Sequence, residues 1–141
     1  MASAAPGGRR AGLSWRTRLS AALVALALLA ALYTYLTLSW SYSDGDRAGL
    51  LQKFSYKGWV CKTYEGELAL YVVAGVQPEI WHFSVRDAAL ARQLSAAVGQ
   101  RVQLHYTEHR GVPTTCFAET GYFVDRINAV AEPPPAITPA R

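Results

Sequence analysis

The chain has only two cysteines, Cys61 and Cys116, and three histidines, His82, His105 and His109. The cysteines lack the paired short spacing of a zinc site, so no metal site is expected. Also missing are a Gly-rich phosphate loop after a strand, a Gly-x-Ser-x-Gly elbow and a His-Glu-x-x-His pair. The signatures of nucleotide, acyl-transfer and zinc-peptidase chemistry are therefore absent, and no cofactor is expected. General acid/base catalysis needs only two well-placed groups, which keeps a small enzyme with a loop-borne site open as the second reading.

Charge is absent from residues 19–38. A helix of that length is about 30 Å long, enough to cross the hydrocarbon core of a bilayer. The run is apolar on nearly every face, unlike the single stripe of a soluble surface helix. No acidic residue lies among Arg9, Arg10, Arg16 and Arg18 before it, and Asp44 and Asp46 follow it. The positive-inside rule then predicts a cytoplasmic N-terminus and an exported C-terminal domain, on a single-pass protein of a bacterial inner membrane. Trp15 at one boundary and Tyr33, Tyr35, Trp40 and Tyr42 at the other fit the aromatic belts at headgroup level. A cleaved signal peptide would have a shorter apolar core and a small-x-small site before polar sequence. This run instead ends in Tyr, Leu and Trp, so an uncleaved signal-anchor is expected. Gly8-Arg-Arg-Ala-Gly-Leu13 resembles a twin-arginine address only faintly. The small pairs Ala21/Ala25 and Ala27/Ala31 would permit close helix packing, but Leu29 ends the first series. They leave the oligomeric state open.

The formal charge of +4 vanishes once the four N-terminal arginines are set aside, leaving ten positive and ten negative residues from 19 onward. The exported part therefore lacks the basic stripe of a nucleic-acid binder. The expected division is a basic N-terminus (1–18), a transmembrane helix (19–38), a polar spacer (39–46), a β domain (47–130) and a disordered Pro-rich tail (131–141). About ninety residues between anchor and tail suffice for one small core.

Within the domain, period two dominates. Val102, Leu104 and Tyr106 alternate with polar neighbours, as do Trp81, Phe83 and Val85, and Leu68, Leu70 and Val72; this is the pattern of strands with one buried face. A weaker first strand is expected over 47–55. A last one is expected over 122–130, where Asp125 and Arg126 break the alternation and predict a bulge or an edge position. Between the third and fourth strands, Asp87 is placed as an N-cap and Gly99 as a C-terminal stop. Leu90, Leu94 and Ala97 or Val98 share a face of the intervening helix. Three strands, one short helix and two strands is the element order of an OB-like five-stranded barrel. An open α+β sheet is the competing architecture.

In an exported domain the two thiols are expected to join as one disulfide. The strand boundaries place Cys61 after strand one and Cys116 between strands four and five, in loops that neighbour each other in an OB-fold. A catalytic thiol beside His105 or His109 is the competing use of Cys116. His82, His105 and His109 are otherwise read as solvent-facing polar residues. Glu65 and Glu67 would project from one strand face as a solvated, charge-balanced pair beside Lys62, with a catalytic carboxylate pair as the alternative. OB-folds bind ligands with the loops after strands one and four. Those loops nominate Tyr56, Lys57 and Trp59 on one side and Arg110, Thr114 and Thr115 on the other. Such groups suit a sugar, a peptide or an anionic head group, and a core-capping Trp59 with a solvated Lys57 is the plain alternative.

Tyr42-Ser-Asp-Gly-Asp-Arg-Ala-Gly-Leu-Leu-Gln-Lys-Phe-Ser-Tyr-Lys-Gly58 and Lys62-Thr-Tyr-Glu-Gly-Glu-Leu68 resemble a group of small bacterial membrane-anchored proteins without an established function. So do Trp81-His-Phe-Ser-Val85, Val102-Gln-Leu-His-Tyr106 and Gly111-Val-Pro-Thr-Thr-Cys-Phe117. The resemblance covers roughly residues 42–127 and implies a location and a domain, with no catalytic residue to carry over. A sugar-phosphate dehydrogenase name sometimes attached to that group finds neither the length nor the dinucleotide fingerprint here. The expected function is a non-catalytic, membrane-anchored periplasmic binding or assembly module. Its partners would be the lipid bilayer and an envelope protein or small ligand. A purely structural accessory subunit of an envelope complex is the third reading.

Overall fold

The computed structural model describes residues 14–70, 75 and 77–131. Residues 132–141, expected as a disordered tail, and most of the basic N-terminus lie outside them. The chain divides into two units, 1–33 and 34–141. Helix α1 (Trp15–Ser39) has 25 residues, is long and apolar enough to cross a membrane, and buries no residue of its own. Its first turn is capped by Ser14, whose hydroxyl accepts from the Thr17 amide at 3.4 Å.

Five strands and a short helix follow: β1 (Ser43–Lys57), β2 (Thr63–Ala69), β3 (Ile80–Val85), α2 (Ala88–Ala96), β4 (Arg101–Glu108) and β5 (Tyr122–Ala131). The sheet is mixed, since β3 pairs with β5 in parallel and every other pairing is antiparallel. The order β1-β2-β3-β5-β4 closes on itself because β1 pairs with β4 along its first half and with β2 along its second. β1 begins at Ser43, inside the stretch expected to be a spacer. Its inward positions there are Gly45, Arg47 and Gly49, so no apolar alternation announces the strand. β5 has strand neighbours on both sides and is not an edge; its register skips at Asp125 and at Asn128, the bulges that its broken alternation implies.

The core joins Leu51, Leu68, Trp81, Phe83, Val85, Val102, Leu104 and Val124 from the strands with Leu90, Leu94 and Ala97 from α2 and its C-terminal turn. The Asp87 carboxylate caps α2 by accepting from the amides of Ala89 (2.6 Å) and Leu90 (2.8 Å). Gly99, at φ +87°, ends the turn and donates its amide to the Leu51 carbonyl. Gly66 on β2 is needed for a different reason: the Phe83 ring lies flat against its backbone, in the space a Cβ would take.

A candidate binding rim at two joined loops

β1 and β2 are joined by a tight turn at 58–62, and β4 and β5 by the long loop 109–121. Gly58 adopts φ +141°, and a Cβ there would strike the Cys61 carbonyl, so the turn depends on glycine. Three attachments draw the long loop onto this turn. Cys61 and Cys116 form a disulfide with their Cα atoms 4.9 Å apart. Lys57 Nζ lies 2.7 Å from Glu119 Oε2. Glu65, buried on β2, accepts the Ser84 hydroxyl at 2.7 Å with one oxygen and the Glu119 backbone amide at 3.2 Å with the other. Ser84 in turn meets the Thr120 hydroxyl at 3.0 Å. At its base the loop is closed by the His109 amide donating to the Gly121 carbonyl at 2.7 Å.

Between the joined loops lies a cavity of about 570 Å3, lined by Lys57, Trp59, Val60, Thr63, Thr115 and Glu119 beside the disulfide. Trp59 is 98% and Val60 81% exposed, so the tip of the turn presents bare apolar surface on a covalently fixed frame. The Lys57–Glu119 pair also lines a second cavity, of about 280 Å3, with Ser55, Glu65, Glu67, His82 and Thr120. The hydrogen bond that Lys57 donates to the Glu119 carboxylate raises the lysine's pKa, outweighing its slight desolvation. Across the same face Lys53 donates to Glu67 at 2.8 Å and lowers the pKa of that carboxyl. On this floor each lysine is paired with a carboxylate, Lys57 with Glu119 and Lys53 with Glu67.

Of the six residues nominated from sequence, Lys57, Trp59 and Thr115 line the rim cavity and three lie elsewhere. Tyr56 packs on the Tyr64 ring at 4.5 Å and faces a shallow depression shared with Phe54, Arg92 and Ser95. Arg110 stays at the base of the loop, 3.4 Å over the Tyr42 ring and paired with Glu108. Thr114 turns the chain by accepting the Phe117 amide with its carbonyl. Trp59 does not cap the core.

Two further expectations are corrected. Glu65 is not a solvated strand end; the loop residues Glu119 and Thr120 cover it, and both of its oxygens are engaged. It braces the loop against the sheet. His109 is not solvent-facing but buried beyond the end of β4, with Nδ1 3.0 Å from the Thr37 carbonyl, Nε2 3.3 Å from the Thr107 hydroxyl and its ring edge-on to Phe123. His105 pairs with Asp125 at 2.7 Å, and His82 is exposed. With both sulfurs in the disulfide, neither serves as a thiol nucleophile. Among the described residues no three His, Cys, Asp or Glu side chains converge as metal ligands.

Residues 40–132 match a family described as a domain of unknown function (DUF8785). No curated protein and no solved structure matches the chain.

Proposed function

We propose that this chain, which belongs to that family through its folded domain, is a single-pass membrane protein whose OB-like domain works as a binding or assembly module outside the cytosol. In this reading α1 is an uncleaved anchor of a bacterial inner membrane, the arginines before it stay cytoplasmic, and the domain is periplasmic. The support for export is the disulfide, which persists in an oxidising compartment. The OB-like assignment rests on the strand order and on the two neighbouring loops after β1 and β4, the loops through which that fold takes its ligands.

One observation carries the binding role: an indole 98% exposed, held beside a cavity by a disulfide and an ion pair. Tryptophan is among the side chains that dominate interface energies, and fixing its loop in advance removes the ordering cost that a flexible loop would incur on binding. A crosslinking pull-down from membranes tests this. The wild-type chain should recover a stable partner that Trp59→Ala loses while its circular dichroism and disulfide are unchanged. A normally folded Trp59→Ala protein that keeps every interaction contradicts the proposal.

A further inference from the structure

Four strands bring a set of unpaired hydrogen-bond donors to one place, away from the rim. Half-buried Arg47 of β1 places its guanidinium carbon 4.9 Å from the Trp81 ring of β3, 5.4 Å from the Tyr106 ring of β4 and 5.7 Å from the Tyr122 ring of β5. The rings pack on one another edge to face, with centroids 5.2 to 5.7 Å apart. Among the described residues, neither the guanidinium nor the two phenol hydroxyls have a hydrogen-bond or ion-pair partner, and the buried Trp81 Nε1 has none either. The carboxylates on the neighbouring strands are engaged elsewhere: Asp46 with Asn128, Glu108 with Ser43 and Arg110, and Asp125 with His105.

The cluster is therefore rich in donors, and the side-chain acceptors within it are the two phenol oxygens, which make no hydrogen bond there. Aromatic faces attract a guanidinium through its charge but leave its in-plane N–H groups unused. A buried indole N–H without an acceptor is likewise a group whose desolvation has not been offset. Gly45 and Gly49 flank Arg47 on that phase of β1, so the strand itself brings no side-chain acceptor to the cluster. What such a cluster lacks is an oxyanion. The arginine fork suits a carboxylate or a phosphate equally, but a phosphate has further oxygens left to serve the tyrosines and the indole together.

We propose that Arg47, with the Tyr106 and Tyr122 hydroxyls and the Trp81 indole N–H, forms a binding site for a phosphate group, either on a phospholipid head group or on a soluble ligand. The lipid source follows from position. Arg47 is eight residues beyond Ser39, the last residue of α1, and Tyr122 pairs with Glu108 in the rung whose carbonyl accepts the Tyr42 amide. That source rests on α1 spanning a membrane; the soluble source does not.

The test uses the full chain in a maltoside detergent, which carries no phosphate, with 15N-labelled tryptophan. The Trp81 indole resonance is followed while phosphatidylglycerol, inorganic phosphate, or chloride at matched ionic strength is added. The Trp81 signal should move with phosphatidylglycerol or with phosphate and not with chloride, while the Trp59 signal stays in place. In Arg47→Met the apparent affinity should fall at least tenfold, and in Tyr122→Phe, which removes one hydroxyl and keeps the ring, severalfold. A response to the lipid alone identifies a head-group site; a response to both shows that the phosphate group suffices. The proposal is overturned if Trp81 answers neither addition, or if folded Arg47→Met or Tyr122→Phe binds as the wild type does.

Discussion

Replacing Glu65 probes the joint between sheet and loop most sharply, because its two oxygens serve partners of different kinds. Ser84 Oγ can rotate, and it already has Thr120 Oγ1 at 3.0 Å as another partner, whereas the Glu119 amide donor has a fixed direction. Glu65→Gln can keep its carbonyl oxygen on the Glu119 amide and offer its NH2 to Ser84, whose hydroxyl then turns to Thr120. Only the charge assistance is lost, about 1 kcal/mol. Glu65→Ala leaves the amide without an acceptor and opens a void beneath the loop; an orphaned donor plus the lost charged bond comes to about 3 kcal/mol. For a domain of this size that separation corresponds to roughly 5 °C for glutamine against roughly 15 °C for alanine. Thermal unfolding of the detergent-solubilised full chain, followed by circular dichroism, measures both. The reasoning is refuted if alanine costs less than about 0.5 kcal/mol, the range of an ordinary surface change, or if glutamine is as damaging as alanine.

Gly66→Ala should destabilise by about 1–3 kcal/mol, because the new Cβ enters the space of the Phe83 ring; a chemical denaturation midpoint equal to wild type would contradict the packing. Cys61→Ser with Cys116→Ser releases a cross-link of 55 residues' separation, which the chain-entropy relation values at about 4 kcal/mol. The double variant should therefore be cleaved by protease within 109–121 far sooner than the oxidised chain. The Lys53–Glu67 pair gives a pH signature. The pKa of Glu67 is lowered on folding, so its contribution is present above the unfolded value near 4.5 and disappears as pH falls through the folded value. The pair is well exposed, which limits it to about 0.5 kcal/mol. The difference in stability between wild type and Lys53→Met should shrink below about pH 4.5, and a constant difference down to pH 3 would contradict the assignment.

Local chemistry made much of the fold legible. Alternation at Trp81, Phe83 and Val85 and at Val102, Leu104 and Tyr106 marks strands whose inner face is core, and Asp87 and Gly99 bracket α2 through capping and a positive φ. Other features depend on partners distant in the chain. The first half of β1 carries Gly45, Arg47 and Gly49 inward, and the surface that meets them comes from Trp81, Tyr106 and Tyr122 around Arg47 and from Leu68 and Ala69 against Gly49. No reading of 43–49 by itself could supply it. Glu65 looks solvated in sequence because the residues that bury it lie 54 and 55 positions later, on a loop that the disulfide draws across β2. Arg110 and Thr114 share a loop with Thr115, but the cross-link brings only the Cys116 end of that loop to the rim. The unpaired indole of Trp81 had no sequence signal at all, since its strand phase marks it only as core.

Of the three attachments that hold the rim, the disulfide is the covalent one, and it persists in an oxidising compartment. Non-reducing peptide mapping of the full chain extracted from native membranes, with free thiols blocked before lysis, reads both at once. A linked pair of peptides carrying Cys61 and Cys116 is the expected result, and alkylated thiols at both positions would contradict the account.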